Sequence, residues 1–193
     1  MDSTDLIVAA FVAVIVIIVV SIATIQTKAR DERLMRQAEK RGGEIRKGSL
    51  FRLTELLVPF KDVVIAIRTV PGSKHSPPKT IAQVKLDSPR LPTVRILRND
   101  LLQKALTAFG KERLLTGDDE FDSQWIVQAD DAFTVNKLVT AEFKSRLAER
   151  MLRSLDIRIQ PQEVSLTIMS VPSNDESYDI FIDTVVLVLQ KIL

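Results

Sequence analysis

The sequence predicts an α+β protein: one N-terminal transmembrane helix followed by a cytoplasmic domain with a mostly antiparallel sheet and packed helices. Three observations predict it. Leu6 to Ile25 reads LIVAAFVAVIVIIVVSIATI, an uncharged run long enough, at the helical rise per residue, to cross a hydrocarbon core of roughly 30 Å. After Gly42 and Gly43 the apolar residues alternate, as in half-buried strands. From Asp130 onward helical spacing returns, broken by one alternating pair of runs.

These readings divide the chain into an external tail over 1–5, the span over 6–25, a basic juxtamembrane helix and Gly hinge over 26–47, and one soluble domain over 48–193. The tail carries Asp2 and Asp5, whereas Lys28, Arg30, Arg33, Arg36, Lys40 and Arg41 all follow the apolar run. The positive-inside rule then orients the chain as a single-pass protein, N-terminus outside and C-terminal domain in the cytoplasm. A cleaved signal peptide fits less well, because its leading region should be basic and its apolar core shorter. The basic flank reads as a topology signal on a solvated helix or as a site for anionic lipid. Ala9, Ala10 and Ala13 are the small residues where a neighbouring helix could pack.

The elements then follow in order. Good helix formers continue to Arg41, and the two glycines end the helix. Leu50 to Leu57 and Val63 to Val70 read as strands separated by Pro59, and the second ends in a Pro71-Gly72 turn. Ile81 to Leu86 and Val94 to Arg98 add two more, giving an antiparallel meander. Leu101 to Phe109 has the pattern of a short helix between a cap at Asn99 or Asp100 and Gly110. Phe121 to Ala129 reads as a strand with Phe121, Trp125, Val127 and Ala129 on one face. Asp130 or Asp131 caps a helix ending near Val139, and Thr140 caps another running to about Leu155. Ile157 and Ile159, then Val164, Leu166 and Ile168, form a hairpin around Pro161 to Glu163. A last helix follows a Ser173–Glu176 capping box, with Phe181, Val185, Val188, Leu189 and Ile192 on its apolar face. That face either buries against the domain's own sheet or meets a partner or membrane surface.

The segment Gly117-Asp118-Asp119-Glu120-Phe121-Asp122, followed by Trp125-Ile126-Val127, Asp130-Asp131 and Leu138-Val139-Thr140, resembles an uncharacterised bacterial membrane-anchored family. Its members share a GD-x-x-FD, aromatic-x-Val and acidic-turn core. The resemblance covers roughly Gly43 to Leu193 and implies an α+β domain behind a membrane helix, with no assigned activity; since the family is bacterial, the membrane expected is the bacterial inner (cytoplasmic) membrane. Trp125 stands where Phe is more usual, and the exchange keeps an aromatic.

Composition narrows the chemistry. There is no Cys, which excludes disulfides, thiolate metal sites and cysteine nucleophiles. The one histidine, His75, sits in a Pro/Gly/Ser turn and leaves no His-based triad or metal site. Of 27 basic and 25 acidic residues, eight and six lie within 1–47, so the domain holds 19 of each. A nucleic-acid-binding domain needs a basic excess to displace counterions, and this domain lacks one. The acids at 118–122 follow Gly117 instead of alternating around a glycine, which fits a turn held by Asp122 better than a calcium loop. No phosphate loop or nucleophile elbow occurs.

The sequence thus predicts no catalytic, cofactor-binding or metal residues and no cofactor. It predicts a non-enzymatic single-span accessory or scaffold protein, a subunit that stabilises or assembles a larger membrane protein complex. An energy-converting assembly, respiratory or photosynthetic, is one class of such complex. The alternative is a membrane-tethered domain that senses a ligand or lipid. Its partners are the complex and the lipid bilayer, without nucleic acid; any small-molecule ligand is unspecified.

Overall fold

The computed structural model describes residues 3–48, 53–88, 91–99 and 113–193. It has an α+β fold in which nine strands form one sheet, every neighbouring pair antiparallel, with helices gathered on one face. Helix α1 spans Ser3–Arg41. The strands are β1 (Glu44–Arg46), β2 (Glu55–Phe60), β3 (Val63–Val70), β4 (Lys79–Lys85), β5 (Val94–Arg98), β6 (Arg113–Leu114), β7 (Trp125–Ala129), β8 (Asp156–Gln160) and β9 (Glu163–Ile168). Helices α2 (Asp119–Gln124), α3 (Ala132–Leu138), α4 (Ala141–Leu147) and α5 (Asp175–Ile192) complete the framework, with a 3₁₀ turn at Arg150–Ser154.

The strand order is β1-β2-β3-β4-β9-β8-β5-β7-β6. The meander therefore stops at β4. The β8–β9 hairpin enters between β4 and β5, pairing Val84 with Val164 on one side and Ile96 with Ile157 on the other. The two edge strands are the shortest, three and two residues, which limits the unpaired backbone offered at the sheet's ends. Inward residues alternate along β3, β4 and β9: Ile65, Ile67, Ala82, Val84, Val164, Leu166 and Ile168 are all buried. They share one core with Leu34 and Ala38 of α1 and with Tyr178, Phe181, Val185 and Val188 of α5.

Several sequence expectations need correction. Among the described residues no helix is long and apolar enough to cross a membrane. The predicted transmembrane helix over Leu6–Ile25, the single-pass topology and the inner-membrane placement are overturned by that finding. The apolar run is not a separate element: it opens one unbroken helix whose later turns carry the charges from Lys28 to Arg41 and bury Leu34, Gln37 and Ala38 in the domain. The short helix expected over 101–109 lies outside the described residues, as does the start of the expected 50–57 strand.

Pro59 does not end β2; it pairs with Val64. A proline is tolerated there because β1 pairs β2 only from Glu55 to Leu57, so the outer side of Pro59 has no strand to serve. The strand expected over 121–129 begins at Trp125, and its first half is α2. The Asp118 carboxylate accepts from the Phe121 N–H at 3.0 Å and starts the helix. Helix α4 ends at Leu147, short of Leu155, as its bonds tighten: Ala148 N–H reaches Ser145 O at 3.2 Å and Glu149 N–H reaches Arg146 O at 3.1 Å. The following 3₁₀ turn brings both Leu152 and Leu155 into the core. The cap of α5 is Asn174, whose Oδ1 accepts from Ser177 N–H at 2.9 Å, one residue past the expected Ser173.

Candidate functional site

The structure divides the predicted basic flank by partner. Arg36, Lys40 and Arg41 face α5, where Asp175, Asp179 and Asp183 recur every fourth residue and so share a helix face. Arg36 donates to Asp175 through Nε at 2.8 Å and Nη2 at 3.2 Å. Lys40 Nζ reaches Asp179 Oδ2 at 2.7 Å, and Arg41 bridges Asp179 at 2.9 Å and Asp183 at 2.8 Å. Gln37 is buried between them, donating to Asp175 O at 3.3 Å and accepting from Arg41 Nε at 3.1 Å. The pairings climb both helices in the same direction, so α1 and α5 run parallel through this clasp.

Partial burial works to raise the Asp179 carboxyl, but hydrogen bonds from Lys40, Arg41 and Gln37 outweigh it and hold the group below the usual carboxylate range. The hydrogen bond to Asp175 raises Arg36. The sequence signal for the clasp was present: three acids at i, i+4 and i+8 beside the apolar face of α5, against cations at i, i+4 and i+5 on α1.

The remaining cations differ. Lys28 is exposed, and Arg30 pairs with the adjacent Asp31 at 3.1 Å. Arg33 makes no ion pair among the described residues. Arg30 and Arg33 line a concavity of about 500 Å³ between α1 and the loops that follow β3 and β9. Its floor includes Thr69 of β3, and its far wall is Pro71, Pro78, Val171 and Pro172. Thr69 is only 6% exposed, and neither its Oγ1 nor the buried Tyr178 Oη finds a hydrogen-bond partner among the described residues. Burial pushes the Tyr178 phenol up; the nearby Thr69 hydroxyl and the charges of Arg30 and Arg33 offset part of that rise. Nothing in the sequence marked Thr69, because its importance arises from the meeting of β3, α1 and α5.

The predicted partner residues on α5 are interior. Phe181, Val185, Val188 and Leu189 are buried and Ile192 is half-buried against the same core, so this face is closed by the protein's own sheet and helices. Ala9, Ala10 and Ala13 lie in α1 at positions whose side chains are outside those described. The acidic GD-x-x-FD segment forms a turn lock: Asp122 accepts from Thr116 N–H at 2.9 Å, Gly117 N–H at 3.2 Å and Thr116 Oγ1 at 3.0 Å. Asp118 additionally takes Lys144 Nζ at 2.8 Å, and these bonds hold it below the usual carboxylate range. Among the described residues no cluster of acids or histidines is placed to hold a metal ion.

A larger groove of about 840 Å³ crosses the opposite sheet face over β1 to β4. There Glu55 bridges Arg46 at 3.5 Å and Arg68 at 3.3 Å, so its central charges are already paired. Asp156, also on a strand, accepts from Arg95 and Arg158 at 3.1 and 2.8 Å.

No family model matches the chain, and no curated protein matches it. Among solved structures the fold has a counterpart. The chain is similar to the crystal structure of the mycobacterial trehalose monomycolate transport factor A, TtfA, with a TM-score of 0.54 and 13% identity. The likeness covers 84% of this chain and 95% of that one. At that identity it is a likeness of fold.

Proposed function

We propose that this protein is a non-enzymatic accessory factor of a lipid-transport assembly, its α+β domain serving as a docking body for a larger membrane protein complex. The observation that carries the reading is the fold shared with a trehalose monomycolate transport factor across nearly the whole of that chain. Trehalose monomycolate is a glycolipid, and a factor for its transport works beside lipid-moving machinery. Two features of this chain support the same role. The described side chains of α1 from Phe11 to Ile18 stand exposed, and an exposed apolar surface of that size is a place for association. One continuous helix joins that surface to the part of α1 that is clasped to α5.

The test is capture of the tagged full chain from its native source in mild detergent after brief crosslinking, with identification and stoichiometry by mass spectrometry. The expected result is a lipid transporter at fixed stoichiometry, lost when Val14, Ile17 and Ile18 are changed to Ser together. Recovery of the monomer alone overturns the reading.

A further inference from the structure

We infer that the concavity at the base of the clasped half of α1 is a binding site for an amphiphile with one aliphatic chain and an anionic headgroup. Arg33 and Arg30 hold the anion, the Thr69 hydroxyl bonds to it, and the chain lies along Pro71, Pro78, Val171 and Pro172. Its biological sense rests on the lipid-transport reading, whereas its chemistry stands on the pocket.

Three properties set this pocket apart from the larger groove. First, one of its two cations is uncommitted. Arg33 has no ion-pair partner among the described residues, while the central charges of the groove are paired across β1, β2 and β3. A guanidinium's planar fork suits a carboxylate or phosphate headgroup. Second, a polar group waits behind the cations. The Thr69 side chain is more than nine-tenths buried, lines the pocket, and lacks a hydrogen-bond partner among the described residues. A buried hydroxyl left unpaired is costly, and a headgroup oxygen in the pocket would satisfy it. Third, most of the lining is apolar: Pro71, Pro78, Val171 and Pro172 offer carbon surface together with Ile25 and Ala29 of α1, and Thr27 and Ser173 are its other polar residues. A volume of about 500 Å³ falls within the usual range of small-ligand sites, roughly 300–1,000 Å³. The cavity thus combines two cations with a mostly apolar lining. A free inorganic anion would leave the proline wall unused, and a neutral alcohol would leave Arg33 unmatched.

The test uses the full chain, purified in a neutral detergent, and dodecyl phosphate carrying a diazirine at the far end of its chain. After photolysis, peptide mass spectrometry is expected to place the label within 71–78 and 171–173. Unlabelled dodecyl phosphate should compete, while inorganic phosphate and dodecanol at the same concentration should not. Arg33→Gln should reduce labelling by about tenfold or more, as expected for losing a charge-assisted pair, and Thr69→Val by a smaller factor. Lys28→Gln, which changes an exposed cation outside the pocket, should leave labelling unchanged. Val171→Asp gives a second disruption from the apolar side, and a thermal melt of each variant confirms that it is folded. The inference is overturned if label falls only along 11–25, if inorganic phosphate competes as well as dodecyl phosphate, or if Arg33→Gln labels like the parent. Failure here with the transporter still captured removes the pocket alone. Labelling as expected with no transporter captured removes the accessory role alone.

Discussion

The two halves of α1 reverse the usual allocation of residues to surroundings. The described apolar side chains from Phe11 to Ile18, and Ile25, are 45–67% exposed. The turns from Leu34 to Arg41 are rich in charge, yet they are the part held in the domain, with Leu34, Gln37 and Ala38 buried and three cations paired to α5. One continuous helix therefore carries an uncovered apolar surface at one end and a satisfied ionic surface at the other. Composition along a helix does not by itself decide which part is interior: the partner's pattern does, and α5 supplies acids at the pitch that Arg36, Lys40 and Arg41 require.

The sharpest test of this contrast compares phenylalanines. Phe181→Ala should destabilise the protein by about 3–5 kcal/mol in chemical denaturation, the cost of emptying a packed aromatic site. Phe11→Ala, at 67% exposure, should change stability by no more than about 0.5 kcal/mol. If Phe181→Ala left the denaturation midpoint unchanged, the α5 face would be a free surface after all.

How legible these features were in the sequence depends on the range of the interaction that decides them. The turn after α1 is local. Gly42 takes φ +62°, Gly43 N–H bonds Ala38 O at 2.8 Å, and a paired glycine announces this geometry unaided. The β8–β9 hairpin and the caps at Asp131 and Thr140 are local too. Phe121 was misassigned to a strand because its period-2 spacing with Trp125, Val127 and Ala129 also fits a short helix running into a strand, and only the Asp118 cap and the Asp122 lock decide between them. The insertion of β8–β9 beside β4, the α1–α5 clasp and the pocket at Thr69 all join residues far apart in the chain, up to 139 positions for Arg36 and Asp175, and no local pattern encodes such a meeting. The apolar run of α1 is the instructive failure: its continuation to Arg41 was legible, but its length and lack of charge carry the signature of a span, and among the described residues no helix is long and apolar enough to cross a membrane.

The clasped end is tied to the sheet as well as to α5, and the tie is steric. A Cβ on Gly43 would come within van der Waals overlap of Leu57 O, on the strand that β1 pairs with. Gly43→Ala must push β1 from β2 or unwind the last turn of α1, at a cost of about 2 kcal/mol. Hydrogen exchange should locate that loss in residues 36–46 and leave 11–25 unchanged. A loss spread evenly over α1 would mean that its two halves are not mechanically distinct.

The ionic part of the tie has the smallest expected effect and a directional pH signature. Asp179→Asn removes the negative charge shared by Lys40 and Arg41 and should cost about 1 kcal/mol, since partly exposed pairs are weak singly and gain as a network. The folded-state pKa of Asp179 lies below its unfolded value, so its contribution is complete above the ordinary carboxylate value, about 3.9. It is lost as pH falls below that value and through the folded one. Acidification below about pH 4 should therefore raise hydrogen exchange in residues 34–41 before the sheet unfolds, after correction for the intrinsic pH dependence of exchange. In Asp179→Asn the exchange of this segment should already be raised at neutral pH and should respond less to acid. An acid response equal in the parent and Asp179→Asn would assign the loosening to other carboxylates and leave core packing as the force that holds α1 to α5.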